Sequence, residues 1–310
     1  MSPALDVTPR FGRVITAMVT PFDDDGALDV PAAVELARWL VAHGSDGLVL
    51  SGSTGESSVL TDEEKVDLWR SVAEAVTVPV IAGSGSNDTA HSVHMTELAA
   101  EAGVDGVLVV TPYYNRPSQA GIAGHFRVVA EAAGRLPVIA YDIPVRAGRR
   151  IATGTMLRLA REVPNLVALK DAAGDPPSTA HLAAHVPAGF EIYSGDDNMT
   201  LPLMSVGAIG VISVASHWVG PQVRAVVDAF LAGDLATAIA GNAALLESFD
   251  FESSPEYPNP LPAKAALRAL GLRVGQCRLP MGPATPELDA RAAKIVAAVG
   301  PPAVTVASLG

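Results

Sequence analysis

Residues 137–172 read PVIAYDIPVRAGRRIATGTMLRLAREVPNLVALKDA. Two short apolar runs, PVIAYDIP (137–144) and LVALKDA (166–172), flank an amphipathic stretch, and their starts lie 29 residues apart. A strand, a crossover helix and two loops fill such an interval, because parallel strands cannot be joined by a tight turn. The same rhythm runs along the chain. Strands are predicted at VITAMVTPF (14–22), GLVLSG (47–52), PVIAGSG (79–85), GVLVVTPYY (106–114), FEIYSGDD (190–197) and GVISVAS (210–216). Helices fill the gaps. Residues 29–43 place Ala33, Leu36, Ala37, Leu40 and Val41 on one face, and residues 62–76 start behind Thr61 with acidic residues in the first turn.

Eight such units, with strands apolar almost throughout, predict an α/β fold: a (β/α)8 TIM barrel, parallel and closed, with helices outside. The alternative is a doubly wound open sheet. Against it, the first strand runs into TPF rather than a G-x-G-x-x-G turn, and that fingerprint occurs nowhere else. After about residue 235 only helices are expected, near 235–249, 261–270 and 286–299. The predicted division is a lead-in over 1–13 that frays, a barrel over 14–234 and a helical region over 235–310.

Hydrophobic residues make up 49% of the chain and charged residues 17%, which supplies a core and argues against disorder. The net charge of −12, with no Lys/Arg stripe to neutralise phosphates, excludes a nucleic-acid partner. A single cysteine, Cys277, rules out an internal disulfide and suits a reducing cytosol. No apolar run reaches the ~20 residues of a membrane span, and no signal peptide is visible at the N-terminus. A soluble, cytoplasmic protein is expected.

Only four lysines occur, and one of them, Lys170, ends an apolar strand. Burial disfavours the ammonium form and leaves the neutral amine that attacks a carbonyl to form a Schiff base. The alternative is a head group that snorkels past the strand end. Active sites of such barrels lie at the C-terminal strand ends. Those ends carry GSTGES (52–57), TPYYNRPSQ (111–119), YDIPVRAG (141–148), Lys170 and SGDD (194–197). GSTGES lacks the Gly-Lys-Ser/Thr of a phosphate loop. It reads either as a cradle of N–H groups and two hydroxyls for a small carboxylate or as an ordinary turn. Tyr141, one strand from Lys170, is placed to relay protons, or else is a core tyrosine. His181 and His185 have i, i+4 spacing without the Glu of H-E-x-x-H, and His91 and His94 have no clustered carboxylate, so no metal site is expected. Asp196 and Asp197 read as a strand-end turn rather than an acid/base pair.

Together, TAMVTPF, GSTGES, GVLVVTPYYNRPSQ, YDIPVRAG, LVALKDAAG, YSGDD, GVISV, PNPLPAKAAL and RLPM, in this order, resemble the dihydrodipicolinate synthase / N-acetylneuraminate lyase family of class I, pyruvate-dependent aldolases. The resemblance runs from about residue 11 to 299. It implies that Lys170 forms the Schiff base with pyruvate and that Tyr141 transfers protons beside it. It makes Ser53 the link to a second tyrosine, Tyr114, which enters the neighbouring subunit's site. Thr54 would hold the pyruvate carboxylate, Arg146 the carboxylate of the second substrate, and Gly195 and Ile212 would line the pyruvate pocket. No metal or organic cofactor is implied, because the imine is itself the electron sink. A homotetramer, a dimer of dimers, is implied as well.

Within the family, TPYYNRPSQ, Arg146, PNPLPAK and RLPM resemble the synthases that condense pyruvate with L-aspartate 4-semialdehyde to 4-hydroxy-tetrahydrodipicolinate, in lysine and diaminopimelate biosynthesis. Ser53 departs from them, since synthases usually carry Thr there and the lyases often read GSTGE. The alternatives are cleavage of N-acetylneuraminate or a 2-keto-3-deoxy sugar acid, and a non-catalytic paralogue. Ser57, Asn87 and Tyr113 match the family's lysine-feedback site, whereas Asp62, Lys65 and His91 stand where lysine-sensitive enzymes often have two histidines and a glutamate. A cation at Lys65 opposes a cationic effector, so inhibition by lysine is expected to be weak or absent.

Overall fold

The computed structural model describes residues 8–299. Residues 1–7 of the lead-in and 300–310 of the C-terminal region lie outside the described residues. Eight strands are present: β1 (Val14–Ala17), β2 (Gly47–Leu50), β3 (Val80–Gly83), β4 (Gly106–Val110), β5 (Val138–Asp142), β6 (Leu166–Asp171), β7 (Glu191–Ser194) and β8 (Gly210–Ser213). They form a closed barrel in sequence order, parallel wherever the register is defined, so the open-sheet alternative falls. Between them run α1 (Val30–Ala42), α2 (Asp62–Ala75), α3 (Thr89–Glu101), α4 (Gln119–Ala132), the short α5 (Pro144–Ala147), α6 (Thr153–Glu162), α7 (Pro176–His185) and α8 (Thr200–Met204). After β8 come α9 (Ser216–Leu231), α10 (Leu235–Ala244), α11 (Leu246–Phe251), α12 (Leu261–Ala269) and α13 (Pro286–Val299). The helix expected over 235–249 is thus two helices, α10 and α11.

The strands are shorter than the apolar runs that contain them. At β1 the reason is visible: the Met18 N–H still donates to the Val49 carbonyl at 2.9 Å, but the next N–H, of Val19, donates to His217 Nε2 at 3.1 Å. An imidazole replaces the ladder partner, and the strand ends. Helix starts follow the expected chemistry. Asp29 caps α1 by accepting from Ala32 N, and Thr61 and Glu64 close a capping box on α2.

Two compact units make up the chain. One holds Pro79–Ile212 with the segment up to Arg13, and therefore β3–β7 and most of β8. Its core comes from strands buried on both faces, such as Val107, Val109, Ile139 and Ala168, each with no more than 1% exposure. The described part of the lead-in is tied into this unit rather than frayed. Phe11 is buried, Arg10 N donates to Glu191 Oε1 at 2.7 Å, and Val211 N donates to the Arg13 carbonyl at 2.8 Å. A Cβ at Gly210 would collide with that same carbonyl oxygen, so only glycine allows the approach. The other unit holds Val14–Val78 and the chain from Ser213 onward, so β1, β2 and the C-terminal helices belong together.

Candidate active site

Register sets the first part of the site. Val110, Tyr141, Lys170, Tyr193 and Gly210 are successive Cα partners across β4 to β8. Residues in register on parallel strands share a face. Lys170 and Tyr141 are accordingly buried side by side, with 4% and 5% exposure, and the lysine Nζ stands 4.3 Å from the tyrosine ring centroid. The snorkelling alternative for Lys170 therefore fails. Tyr193 turns elsewhere: its hydroxyl donates to Glu191 Oε2 at 2.9 Å and lies 3.1 Å from the Gly12 carbonyl, and burial beside Glu191 raises its pKa far above the ordinary phenol range.

Beyond β5, the chain turns into α5, which ends at Gly148 in the left-handed region (φ 70°) and presents Arg146 at the surface. Arg146 and Lys170 both act on the half-buried Asp196 at the end of β7. Burial pushes the Asp196 carboxyl up, Lys170 and Arg146 oppose that rise, and Asp197 and Asp171 add to it. Asp196 thus lies within electrostatic reach of both Lys170 and Arg146. Gly195 packs with no room to spare, since a Cβ there would lie 2.7 Å from Ala172 Cβ, and its N–H donates to the Asp171 carbonyl at 2.7 Å. Ile212 is fully buried on β8.

Tyr114 does not join this group. Its backbone is left-handed (φ 69°) and its side chain is 89% exposed, a costly placement for an aromatic residue that nothing among the described residues covers. In the other unit, GSTGES follows β2 as a tight loop in which Glu56 is also left-handed. Ser53 is exposed, whereas Thr54 is buried and its Oγ1 accepts a hydrogen bond of 2.9 Å from Asn259 Nδ2. Residues 10–299 match the family model described as the dihydrodipicolinate synthetase family.

The chain belongs to the dihydrodipicolinate synthetase family.

Among family members, it is 50% identical over 298 residues to the 4-hydroxy-tetrahydrodipicolinate synthase of Parasynechococcus marenigrum, covering 96% of this chain and 97% of that one. The crystal structure of DHDPS from Cyanidioschyzon merolae with lysine bound superimposes with a TM-score of 0.91 at 42% identity, over 94% of this chain and 99% of that one. The dihydrodipicolinate synthase of Acinetobacter baumannii complexed with pyruvate gives 0.88 at 33% identity, over 94% and 99% of the two chains.

Sequence reasoning missed three polar residues around the family's motifs. The sequence marks Asp196 only as a turn residue. It does cap that turn, since its carbonyl accepts from Ser194 Oγ at 2.7 Å, yet its carboxyl also feels Lys170 and Arg146. Asn259 and Lys264 stand out in the sequence only as parts of a C-terminal motif, and for Lys264 the one further signal is the rarity of lysine in this chain.

Proposed function

We propose that this chain condenses pyruvate with L-aspartate 4-semialdehyde to give 4-hydroxy-tetrahydrodipicolinate, a step of lysine and diaminopimelate biosynthesis. The observation that carries the reading is the buried Lys170 amine over the Tyr141 ring, 4.3 Å from its centroid, in a chain 50% identical to a synthase. Lys170 adds to the keto carbon of pyruvate and water leaves, which forms the imine. Tyr141 moves protons to and from the departing oxygen and the adjacent carbon. The nucleophilic carbon so formed adds to the aldehyde, and the substrate's own amine then closes the ring and displaces Lys170. Arg146 receives the carboxylate of the aldehyde substrate, a contact suited to a planar guanidinium.

Ser53 and Thr54 take the roles their motif implies, proton relay and hold on the pyruvate carboxylate, and Gly195 and Ile212 line the pyruvate side. Tyr114 serves a second copy of the chain, which its exposure and left-handed backbone support. The assembly we infer is a homotetramer, acting in the cytoplasm.

Borohydride reduction in the presence of pyruvate is expected to add the pyruvyl group to the peptide that carries Lys170, and Lys170→Ala is expected to abolish the adduct. Tyr141→Phe is expected to lower kcat by roughly 10² to 10⁴. Turnover of aspartate semialdehyde alongside cleavage of N-acetylneuraminate decides the substrate. Sugar-acid cleavage without condensation would overturn the assignment.

A further inference from the structure

A second lysine is buried more deeply than Lys170 and takes no part in the chemistry above. Lys264, on α12, has its Nζ 2.7 Å from Glu56 Oε1, each side chain being only 1% exposed. The same Nζ donates to the Gln276 carbonyl at 3.0 Å and stands 4.1 Å from the centroid of the Phe22 ring. The other oxygen of Glu56 accepts from Arg278 N at 2.9 Å. The Arg278 guanidinium packs 4.2 Å from the same Phe22 ring and donates to Glu64 at 2.5 and 2.8 Å and to the Gly26 and Val59 carbonyls. Every one of these groups belongs to one compact unit.

Glu56 is the penultimate residue of GSTGES, held in the left-handed region that a non-glycine residue adopts only under constraint. Two residues before it, Thr54 accepts from Asn259 Nδ2, and Asn259 stands just ahead of α12. An amide NH2 can only donate, so the Thr54 oxygen is the acceptor in this pair, and its own hydrogen is directed to another acceptor. The segment 259–278 therefore holds the loop at two points, one ionic and one a neutral hydrogen bond. Removing one member of a buried ion pair leaves the other unpaired, so the contact has consequences for the loop whatever its net contribution to stability.

We propose that Lys264 and Asn259 are positioning residues for the keto acid: Lys264 fixes the loop through Glu56, and Asn259 sets the Thr54 hydroxyl as a hydrogen-bond donor to the substrate carboxylate. This rests on the proposed pyruvate chemistry at Lys170 and on Thr54 as the carboxylate contact. It makes the C-terminal helical region part of the binding machinery, which GSTGES alone does not complete.

The test is the pyruvate concentration that half-saturates borohydride trapping on Lys170 in the full-length protein, measured beside the thermal midpoint. Asn259→Ala is expected to raise it about tenfold, the loss of one bond that orients a charged-group contact. Thr54→Val is expected to raise it at least as much, and the double variant no further than Thr54→Val alone. Independent, multiplicative effects of the two changes, or no effect of Asn259→Ala, would overturn the role of Asn259. Lys264→Met alone leaves a buried carboxylate unpaired and invites misfolding, so the Glu56→Gln/Lys264→Met double variant carries the second arm. It is expected to fold and to need about tenfold more pyruvate. Wild-type half-saturation in that variant would overturn the role of Lys264. Absence of any pyruvyl adduct in the wild type would instead remove the reading on which the inference stands, so the two failures are distinct.

Discussion

Lys170 and Lys264 show how surroundings divide one residue type between two tasks. Both are buried; burial pulls the Lys264 amine below the ordinary lysine range, while the Glu56 carboxylate 2.7 Å away opposes that fall and holds the amine in an ion pair. Lys170 lies over the face of Tyr141, with Asp196 within electrostatic reach. One position beyond this pair, Asp142 and Asp171 are again register partners and both are buried. Burial pushes the Asp142 carboxyl from 3.8 up to about 7, the Ile151 N–H opposes this, and the Asp171 charge adds to it. The folded state therefore binds this proton more tightly than the unfolded chain. The stability it contributes is complete below about pH 4 and is lost as pH rises toward 7. Asp142→Asn, which mimics the neutral carboxyl, is expected to match the wild type near pH 4 and exceed it by roughly 1–3 kcal/mol at pH 8. Chemical denaturation at both pH values checks this, and parallel curves for the two proteins would refute it.

At the scale of single elements, the barrel strands and the helices around them respond to a methyl group in opposite directions. Gly210 opens β8 against the Arg13 carbonyl, and the backbone cannot withdraw without breaking the Val211–Arg13 hydrogen bond. Gly124 lies inside α4 with nothing within 4 Å of the position its Cβ would take. Gly210→Ala is expected to destabilise the protein by at least about 1–3 kcal/mol through overpacking. Gly124→Ala is expected to stabilise it by about 0.5–1 kcal/mol, because alanine loses less backbone entropy in a helix. Thermal midpoints moving in the same direction would contradict this account of the two sites.

For the whole molecule, the exposed, left-handed Tyr114 is the residue on which the proposed assembly can be tested. Sedimentation is expected to find a tetramer, and Tyr114→Ala is expected to lower kcat in the assembled protein. Feedback belongs to the same scale. The Cyanidioschyzon merolae relative has lysine bound, but in this chain Lys65 is itself a buried cation, 3.7 Å from Asp62, with its amine pulled below the ordinary lysine range by burial. L-lysine is expected to inhibit weakly or not at all, and a submillimolar inhibition constant would overturn that expectation.

The eight-stranded barrel and the placing of Lys170 beside Tyr141 were legible in the sequence, because both depend on local regularities. Strand runs recur at a steady interval, and side chains alternate along each strand, so neighbouring strand ends follow from strand order alone. The pairing of Asn259 with Thr54, 205 positions away, has no such periodic trace. The same holds for Glu56 with Lys264 and for the early end of β1 at His217. Which distant polar groups meet depends on which pieces of chain lose their water together. Only the packed tertiary structure decides that, by leaving a buried donor or charge no other partner.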